Sequence, residues 1–190
     1  MVKKAEIGIG TLIIFIAMIL VAAIAASVLI QTATSLQNKA LLTGNRARDQ
    51  ISSGLEALVV YGTNGTDGDL EEFFLKLKLV AGSETLRFND TMVEIMTRNT
   101  SQNLEYGGTD CSASTGNNTH YFVEYLIESN NHRDDYIHSG EVAMVCANSP
   151  YPMGRDEDIE FSIVGTVGFP LVIETALPDY IHTTRVFVFP

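Results

Sequence analysis

A run of 24 residues near the N-terminus constrains what this chain can fold into more than any other stretch. Ile7 to Ile30 carries no charged side chain, and Thr11 and Ser27 are its only polar side chains. As an α-helix at 1.5 Å per residue the run is about 36 Å long, enough to cross a bilayer with some tilt. Apolar residues cover every face of this helix, so all of its sides must be kept out of water. The run is longer than the apolar core of a secretory signal peptide, which favours a retained segment.

The residues on either side of the apolar run set its orientation and its extent. Lys3 and Lys4 precede it, and the positive-inside tendency places that end in the cytoplasm and the following residues outside. Helical spacing of small and apolar residues continues beyond Ile30, now with polar residues between them. The pattern predicts one helix from about Glu6 to about Asp49, apolar all round in its first half and amphipathic in its second.

From Ile51 the apolar period changes to two, which is typical of β-strands. The clearest alternation lies in Phe73–Leu79, where Lys76 and Lys78 share one face. Further strands are predicted at Leu55–Tyr61, Thr91–Met96, Tyr121–Ile127, Glu141–Cys146, Ile159–Val167, Leu171–Thr175 and Thr184–Phe189. Apart from Thr91–Met96, the segment from Leu86 to Asn118 is predicted to be a long loop. The fold class is therefore α+β, with a long hydrophobic N-terminal α-helix followed by a β-sandwich (Ig-like) head domain.

Two groups of residues in the head region are candidates for cross-links or ligands. Cys111 and Cys146 are an even number of cysteines in a part predicted to be extracellular, which favours a disulfide; alternatively, Cys146 is a small core residue. His132, Asp134, Asp135 and His138 have spacings that a metal ion can use, but a solvated hairpin loop explains the same residues.

The beginning of the chain resembles that of archaeal flagellins, or archaellins. The resemblance rests on Lys3-Lys4-Ala5 followed by Glu6-Ile7-Gly8-Ile9-Gly10-Thr11-Leu12, and then on Phe15, Ala17 and Val21-Ala22-Ala23. Weaker matches are Ser27–Thr32 and Ser53-Gly54-Leu55. Ala5 stands where the family usually has Gly, and the small side chain is kept. The resemblance is strong over about the first 60 residues, and beyond them only the overall architecture is similar.

The resemblance implies a subunit of the extracellular archaellum filament that is inserted in the membrane before assembly. A prepilin-peptidase-like enzyme would cut between Ala5 and Glu6, giving a leader at residues 1–5, a helix at 6–50 and an extracellular head at 51–190. A membrane platform and an assembly ATPase would then add the subunit to a helical polymer, either of itself or mixed with related subunits. The helix-core residues would be Leu12, Ile13, Phe15, Ile16, Ile19, Leu20 and Ile24.

Four Asn-x-Ser/Thr sequons lie in polar, turn-like sequence on the side predicted to be outside the cell. The acceptor residues are Asn64, Asn89, Asn99 and Asn117, and no sequon has Pro at its middle position. The resemblance to archaellins, which are often N-glycosylated, strengthens the prediction that at least two of these four sites are glycosylated.

Other function classes find less support. The net charge of −11 disfavours nucleic-acid binding. There is no phosphate-binding loop, no Gly-x-Ser-x-Gly and no His-Glu-x-x-His, so neither an enzyme nor a cofactor is predicted. The alternatives are a type IV pilin-like adhesion filament subunit and, from another class, a membrane-anchored enzyme or metal-binding domain that uses the His132–His138 region.

Overall fold

The computed structural model describes residues 2–64, 69–181 and 183–189, and the side chains of residues 2–7 and 64 lie outside that description. Its first element is one 51-residue helix, α1, from Val2 to Ser52. The chain divides into two compact units, Met1–Ala47 and Arg48–Pro190. The helix ends at Ser52, three residues beyond the predicted Asp49. At this end the Ser53 N–H donates to the Asp49 carbonyl at 3.0 Å.

The second unit is mostly β-structure, as the period of two predicts. Its strands are β1 Leu55–Asn64, β2 Leu70–Leu79, β3 Leu86–Arg87, β4 Met92–Thr97, β5 Ser101–Gly108, β6 His120–Ile127, β7 Tyr136–Ile137, β8 Val142–Met153, β9 Asp158–Val164, β10 Leu171–Ala176 and β11 Arg185–Phe189. Two short 3-10 turns, Phe88–Asp90 and Cys111–Ala113, lie before β4 and after β5. The predicted architecture of a long apolar helix followed by a mostly β head is confirmed.

Nine of these strands form one sheet in the order β10-β9-β4-β5-β6-β8-β2-β1-β11, and β3 pairs with β7. The sheet folds back on itself, because Phe73 of β2 and Phe161 of β9 meet edge to face at 5.2 Å although four strands separate β2 from β9. Strand β5 joins the two layers. Its first half pairs antiparallel with β4, and its second half pairs parallel with β6. The two edge strands also meet, since the Thr175 hydroxyl of β10 donates to the Val188 carbonyl of β11 at 2.8 Å.

The inward-facing residues of the two layers form one hydrophobic core. On β2 the alternation is clear, because Phe73, Leu75 and Leu77 are fully buried while Lys76 and Lys78 lie on the other face. Burying each of these large side chains contributes about 1.5–3 kcal/mol. The core therefore fixes the register of the central strands, since a one-residue slip would turn these side chains to solvent.

Strand β5 corrects the prediction that residues around Ser101–Gly108 belong to a long loop. Its sequence offers little alternation to detect, because polar residues point to both sides and Leu104 is its one fully buried residue. The predicted strand at Thr91–Met96 is present as β4, one residue later. Only the pairing of β5 with both layers, which is a long-range property, makes this polar segment a strand.

Candidate assembly interface

The helix presents an apolar surface that no part of the described chain covers. The seven predicted helix-core residues are each between 50% and 64% exposed: Leu12, Ile13, Phe15, Ile16, Ile19, Leu20 and Ile24. In the described residues, one helical segment, Gly8–Ser52, is long and apolar enough to cross a membrane, and none of its most apolar window is buried. A helix in the core of a soluble protein would be covered by its own chain. This one is available to lipid or to other molecules.

Three threonine hydroxyls on the helix have polar partners within the helix itself. Thr11 donates to the Gly8 carbonyl at 3.0 Å, and Thr32 and Thr34 donate to carbonyls one turn earlier at 2.9 Å. These bonds replace those that water would provide. The surface can therefore enter an apolar environment without leaving these hydroxyls unsatisfied.

Two glycines near the start of the helix leave shallow notches in this surface. A Cβ atom added to Gly8 or Gly10 would meet nothing within 4 Å, so nothing within the described chain requires glycine there. Glycine in a helix interior costs about 1 kcal/mol relative to alanine. Small residues do allow close approach between helices in apolar surroundings. The notches would let another helix approach this surface closely, and ordinary transmembrane composition would explain the same glycines.

The end of the helix is fixed within the second unit by two loops. The Ser83 hydroxyl accepts from the Gly54 N–H at 3.1 Å, and the Ser53 hydroxyl accepts from the Glu84 N–H at 3.2 Å. On another side, the Phe169 N–H donates to the Ser53 carbonyl at 3.1 Å. The Phe169 ring lies where a Cβ on Gly54 would be, so this position excludes any side chain. The exit from the helix is thus held by the head itself.

A disulfide joins Cys111 to Cys146, with their Cα atoms 5.6 Å apart. It ties the 3-10 turn after β5 to the middle of β8, where Cys146 is fully buried. Around it lies a small apolar cluster that includes Tyr61 and Met144, separate from the main core. The bridge thus anchors the connection between β5 and β6 to a central strand.

The four candidate metal ligands lie in the loop between β6 and β8, but they do not surround one point. Asp134 is 83% exposed and lies 3.5 Å from His132, while Asp135 accepts a hydrogen bond from the Tyr106 hydroxyl at 2.6 Å. Within the described ranges, no group of three or more His, Cys, Asp or Glu side chains is arranged to hold a metal ion. The two histidines instead face a carboxylate that the sequence analysis did not single out.

That carboxylate belongs to Glu141, which is fully buried at the end of the loop. Its Oε1 accepts from the Ser129 hydroxyl at 2.8 Å and from the Ser129 N–H at 3.2 Å, and His132 Nδ1 lies 3.2 Å away. Its Oε2 accepts from the His138 N–H at 2.8 Å, and His138 Nδ1 lies 3.4 Å away without hydrogen-bond geometry. One carboxylate thus closes the whole connection from Ser129 to His138.

The electrostatics of Glu141 follow from these contacts. Burial alone raises its pKa, but the hydrogen bonds from His138, Ser129 and His132 outweigh burial and lower the pKa to about 2. The group is therefore a structural anion and no general acid or base at neutral pH. The only sequence signal for this buried carboxylate was an acidic residue directly before a strongly apolar strand, with two histidines upstream.

Comparison with known proteins identifies the family. The model of archaeal-type flagellin matches residues 5–175.

The chain belongs to the archaeal-type flagellin family.

Its relatives and structural neighbours agree with that assignment. It is 36% identical to flagellin B1 of Thermoplasma volcanium over 136 residues, covering 68% of this chain and 55% of the relative. It is 31% identical to flagellin B3 of Halobacterium salinarum over 180 residues, covering 93% and 90%. The chain spans about half the length of the first three curated relatives that it matches. The archaeal flagellum of Methanospirillum hungatei has the same fold, with a TM-score of 0.73 at 16% identity, over 96% of this chain and 99% of that one.

The predicted processing point lies between Ala5 and Glu6. Both residues belong to the backbone of α1, and their side chains lie outside the described residues. The cut itself stays a prediction.

The four sequons of this flagellin-family chain lie in different settings. Asn64 ends β1, with its side chain outside the described residues, and Asn89 and Asn99 are exposed in turns. Asn117 is half-buried, and its side-chain carbonyl accepts from the Thr119 N–H at 3.1 Å and the Thr119 hydroxyl at 3.0 Å. Glycosylation at any of them stays a prediction.

Proposed function

We propose that this chain is the polymerising subunit of an archaellum, the extracellular filament that drives archaeal motility, and that α1 forms the core of the filament. The observation that carries the proposal is the uncovered apolar surface of the helix. Between Ile9 and Ile30, 14 large apolar side chains are each at least half exposed. At about 1.5–3 kcal/mol for each fully buried side chain, leaving them in water would cost on the order of 20 kcal/mol. Such a surface has to be in lipid or against other helices.

In this proposal the helix lies first in lipid and later against other helices. Before assembly the helix is stored in the membrane, where its backbone groups are satisfied within the helix. Transfer from lipid to a bundle of helices gains little from the hydrophobic effect, because both are apolar. The transfer therefore needs a membrane platform and an assembly ATPase. Return of the helix to water is blocked by the cost of exposing it, so the polymer is stable once it has formed.

Processing prepares the helix for this transfer. A prepilin-peptidase-like enzyme removes residues 1–5 by cutting between Ala5 and Glu6. The cut removes Lys3 and Lys4, the charges that favour keeping this end at the cytoplasmic face. The mature subunit then consists of a helix at 6–50 and an extracellular head at 51–190.

The head forms the outer surface of the filament and has no catalytic role in this proposal. Residues 53–190 hold 21 Asp and Glu against seven Lys and Arg, a composition that favours a hydrated outer surface. Glycans on Asn89 and Asn99, the two exposed acceptors, would add to it. The family assignment does not favour the pilin-like adhesion filament as the alternative.

The test is to shear surface filaments from cells and to analyse them by electron microscopy and mass spectrometry. We expect this chain to be a filament component whose N-terminal peptide begins at Glu6. A strain lacking the gene should lose the filaments or their motility, and re-expression should restore it. Filaments that contain Lys3 and Lys4 would refute the processing step. Absence of the chain from all surface filaments would refute the proposed function.

A further inference from the structure

The outward face of strands β10, β9 and β4 combines an apolar end with an acidic end. At the apolar end, Met92 of β4 lies directly opposite Val164 of β9, and Val172 of β10 lies diagonally across from Val164. These three side chains are 40%, 41% and 47% exposed. The loop that follows Val164 leads to Phe169, which contacts Ser53 and Gly54. The apolar end is therefore at the side of the head where the helix enters.

The acidic end holds two carboxylates that face each other without compensation. Glu160 of β9 and Glu174 of β10 are directly paired across the two strands. Like charges in such a pair destabilise a sheet. Arg98, at the end of this face, is engaged with Asp158 at 2.7 Å. In the part of the chain that the structure describes, no Lys, Arg or His forms an ion pair with Glu160 or Glu174. A cation from another molecule would relieve this repulsion.

The amphipathic half of the helix carries the complementary pattern. Lys39, Leu42 and Arg46 are spaced i, i+3 and i+7, so they lie on one face of α1. Leu42 is 59% exposed, and both basic residues are exposed. Neither Lys39 nor Arg46 forms an ion pair with any residue that the structure describes. A leucine followed one turn later by a cation matches an apolar patch that continues into two carboxylates.

We propose that the Lys39–Leu42–Arg46 face of one copy docks on the outward face of β10, β9 and β4 of a neighbouring copy in the filament. Leu42 packs against Met92, Val164 and Val172, and Arg46, one turn further along the helix, neutralises Glu160 and Glu174. The inference rests on the proposed function, because it requires polymerisation through α1. It adds a specific contact between a helix and a head to the contacts among helices in the core.

The position of the patch supports a helix as its occupant. The loop that leaves the apolar end of the face carries Phe169, which contacts Ser53 and Gly54, the two residues that follow α1. The basic residues 39 and 46 are near the head end of α1, beyond the charge-free run that ends at Ile30. The basic residues therefore lie outside the run that is proposed to form the apolar core.

The experiment is a charge exchange in the full-length chain, expressed in a strain lacking the native gene. Arg46→Glu and Glu174→Arg are made singly and together, and filament mass sheared per cell is measured. Each single change replaces an attraction with a repulsion, and we expect about tenfold less filament, which corresponds to about 1.4 kcal/mol per contact. The double variant restores the pair with reversed signs and should recover most of the filament mass.

A matched control separates the proposed contact from a general effect of charge. Glu128 is an exposed carboxylate after β6, on a different part of the head. Arg46→Glu combined with Glu128→Arg should stay as defective as Arg46→Glu alone. Membrane levels of each variant and tyrosine circular dichroism check that the chain is made and folded.

Two results would overturn the inference: single variants that assemble as well as the native chain, or a double variant no better than the singles. In the first case filaments still form, so the proposed function stands while the docking contact is rejected. Absence of the native chain from all filaments would instead reject the proposed function.

Discussion

The buried carboxylate of Glu141 allows a quantitative prediction about the head. Its side chain is fully buried, and its hydrogen bonds lower the pKa from 4.5 to about 2. One pKa unit corresponds to about 1.36 kcal/mol, so the charged form contributes about 3 kcal/mol to the stability of the head. Because the pKa in the folded state is below the unfolded value, this contribution is present in full above about pH 4.5. It is lost as the pH falls from 4.5 towards 2.

The perturbation is Glu141→Gln, which keeps the shape of the side chain and removes its charge. The amide NH₂ would face donors from Ser129 or His138 in place of an acceptor oxygen, leaving buried donors unmatched. We expect a loss of about 2–3 kcal/mol at pH 7. The difference from the native chain should shrink below pH 4.5 and become small near pH 2, where about half of the native carboxyl is protonated.

The assay is chemical denaturation of the full-length chain in detergent micelles, followed by near-ultraviolet circular dichroism of tyrosine. All seven tyrosines lie between Tyr61 and Tyr180, and the chain has no tryptophan, so the signal reports on the head alone. Glu128→Gln is the control, since Glu128 is an exposed carboxylate in the same connection between β6 and β8. A Glu141→Gln variant as stable as the native chain, or a difference that does not change with pH, would refute the reasoning.

Three further predictions concern the helix, the disulfide and the helix exit. Leu20→Asp places an unpaired carboxylate in an apolar bundle and should abolish filaments in electron micrographs, whereas Leu20→Val should preserve them. Reduction of the Cys111–Cys146 bridge should destabilise the head by about 3–4 kcal/mol and expose the connection between β5 and β6, residues 109–119, to protease while the polymer persists; an identical digest with and without reductant would contradict this. Gly54→Ala should displace the Phe169 ring and lower the denaturation midpoint of the head, and Phe169→Ala in the same chain should reduce that penalty.

The sequence predicts this molecule well where a single local pattern decides the structure. The charge-free run Ile7–Ile30 is sufficient to predict an uncovered helix, because no arrangement of one chain of this composition hides all its faces. Strand β2 is equally clear, since its alternating leucines and lysines separate a buried face from an exposed one. In both cases neighbouring residues carry the complete signal.

Prediction fails where contacts that the apolar pattern does not encode decide the structure. Strand β5 has one fully buried residue, Leu104, and becomes a strand because it pairs with β4 on one side and β6 on the other. In the sequence Glu141 is only the first residue of a predicted strand, whereas in the structure it is buried beneath Ser129 and two histidines. The topology of the folded head decides the strand, and the way the connection from Ser129 to His138 folds back on Glu141 decides the burial of the carboxylate.

The most direct test of the central claim is a helical reconstruction of the native filament by electron cryomicroscopy at side-chain resolution. We expect the α1 helices at the filament axis, with Leu12, Phe15, Ile16 and Ile19 in contact with the same region of neighbouring copies and the β heads outside. Helices that face solvent along residues 8–30, or a filament held together by head domains alone, would contradict the account.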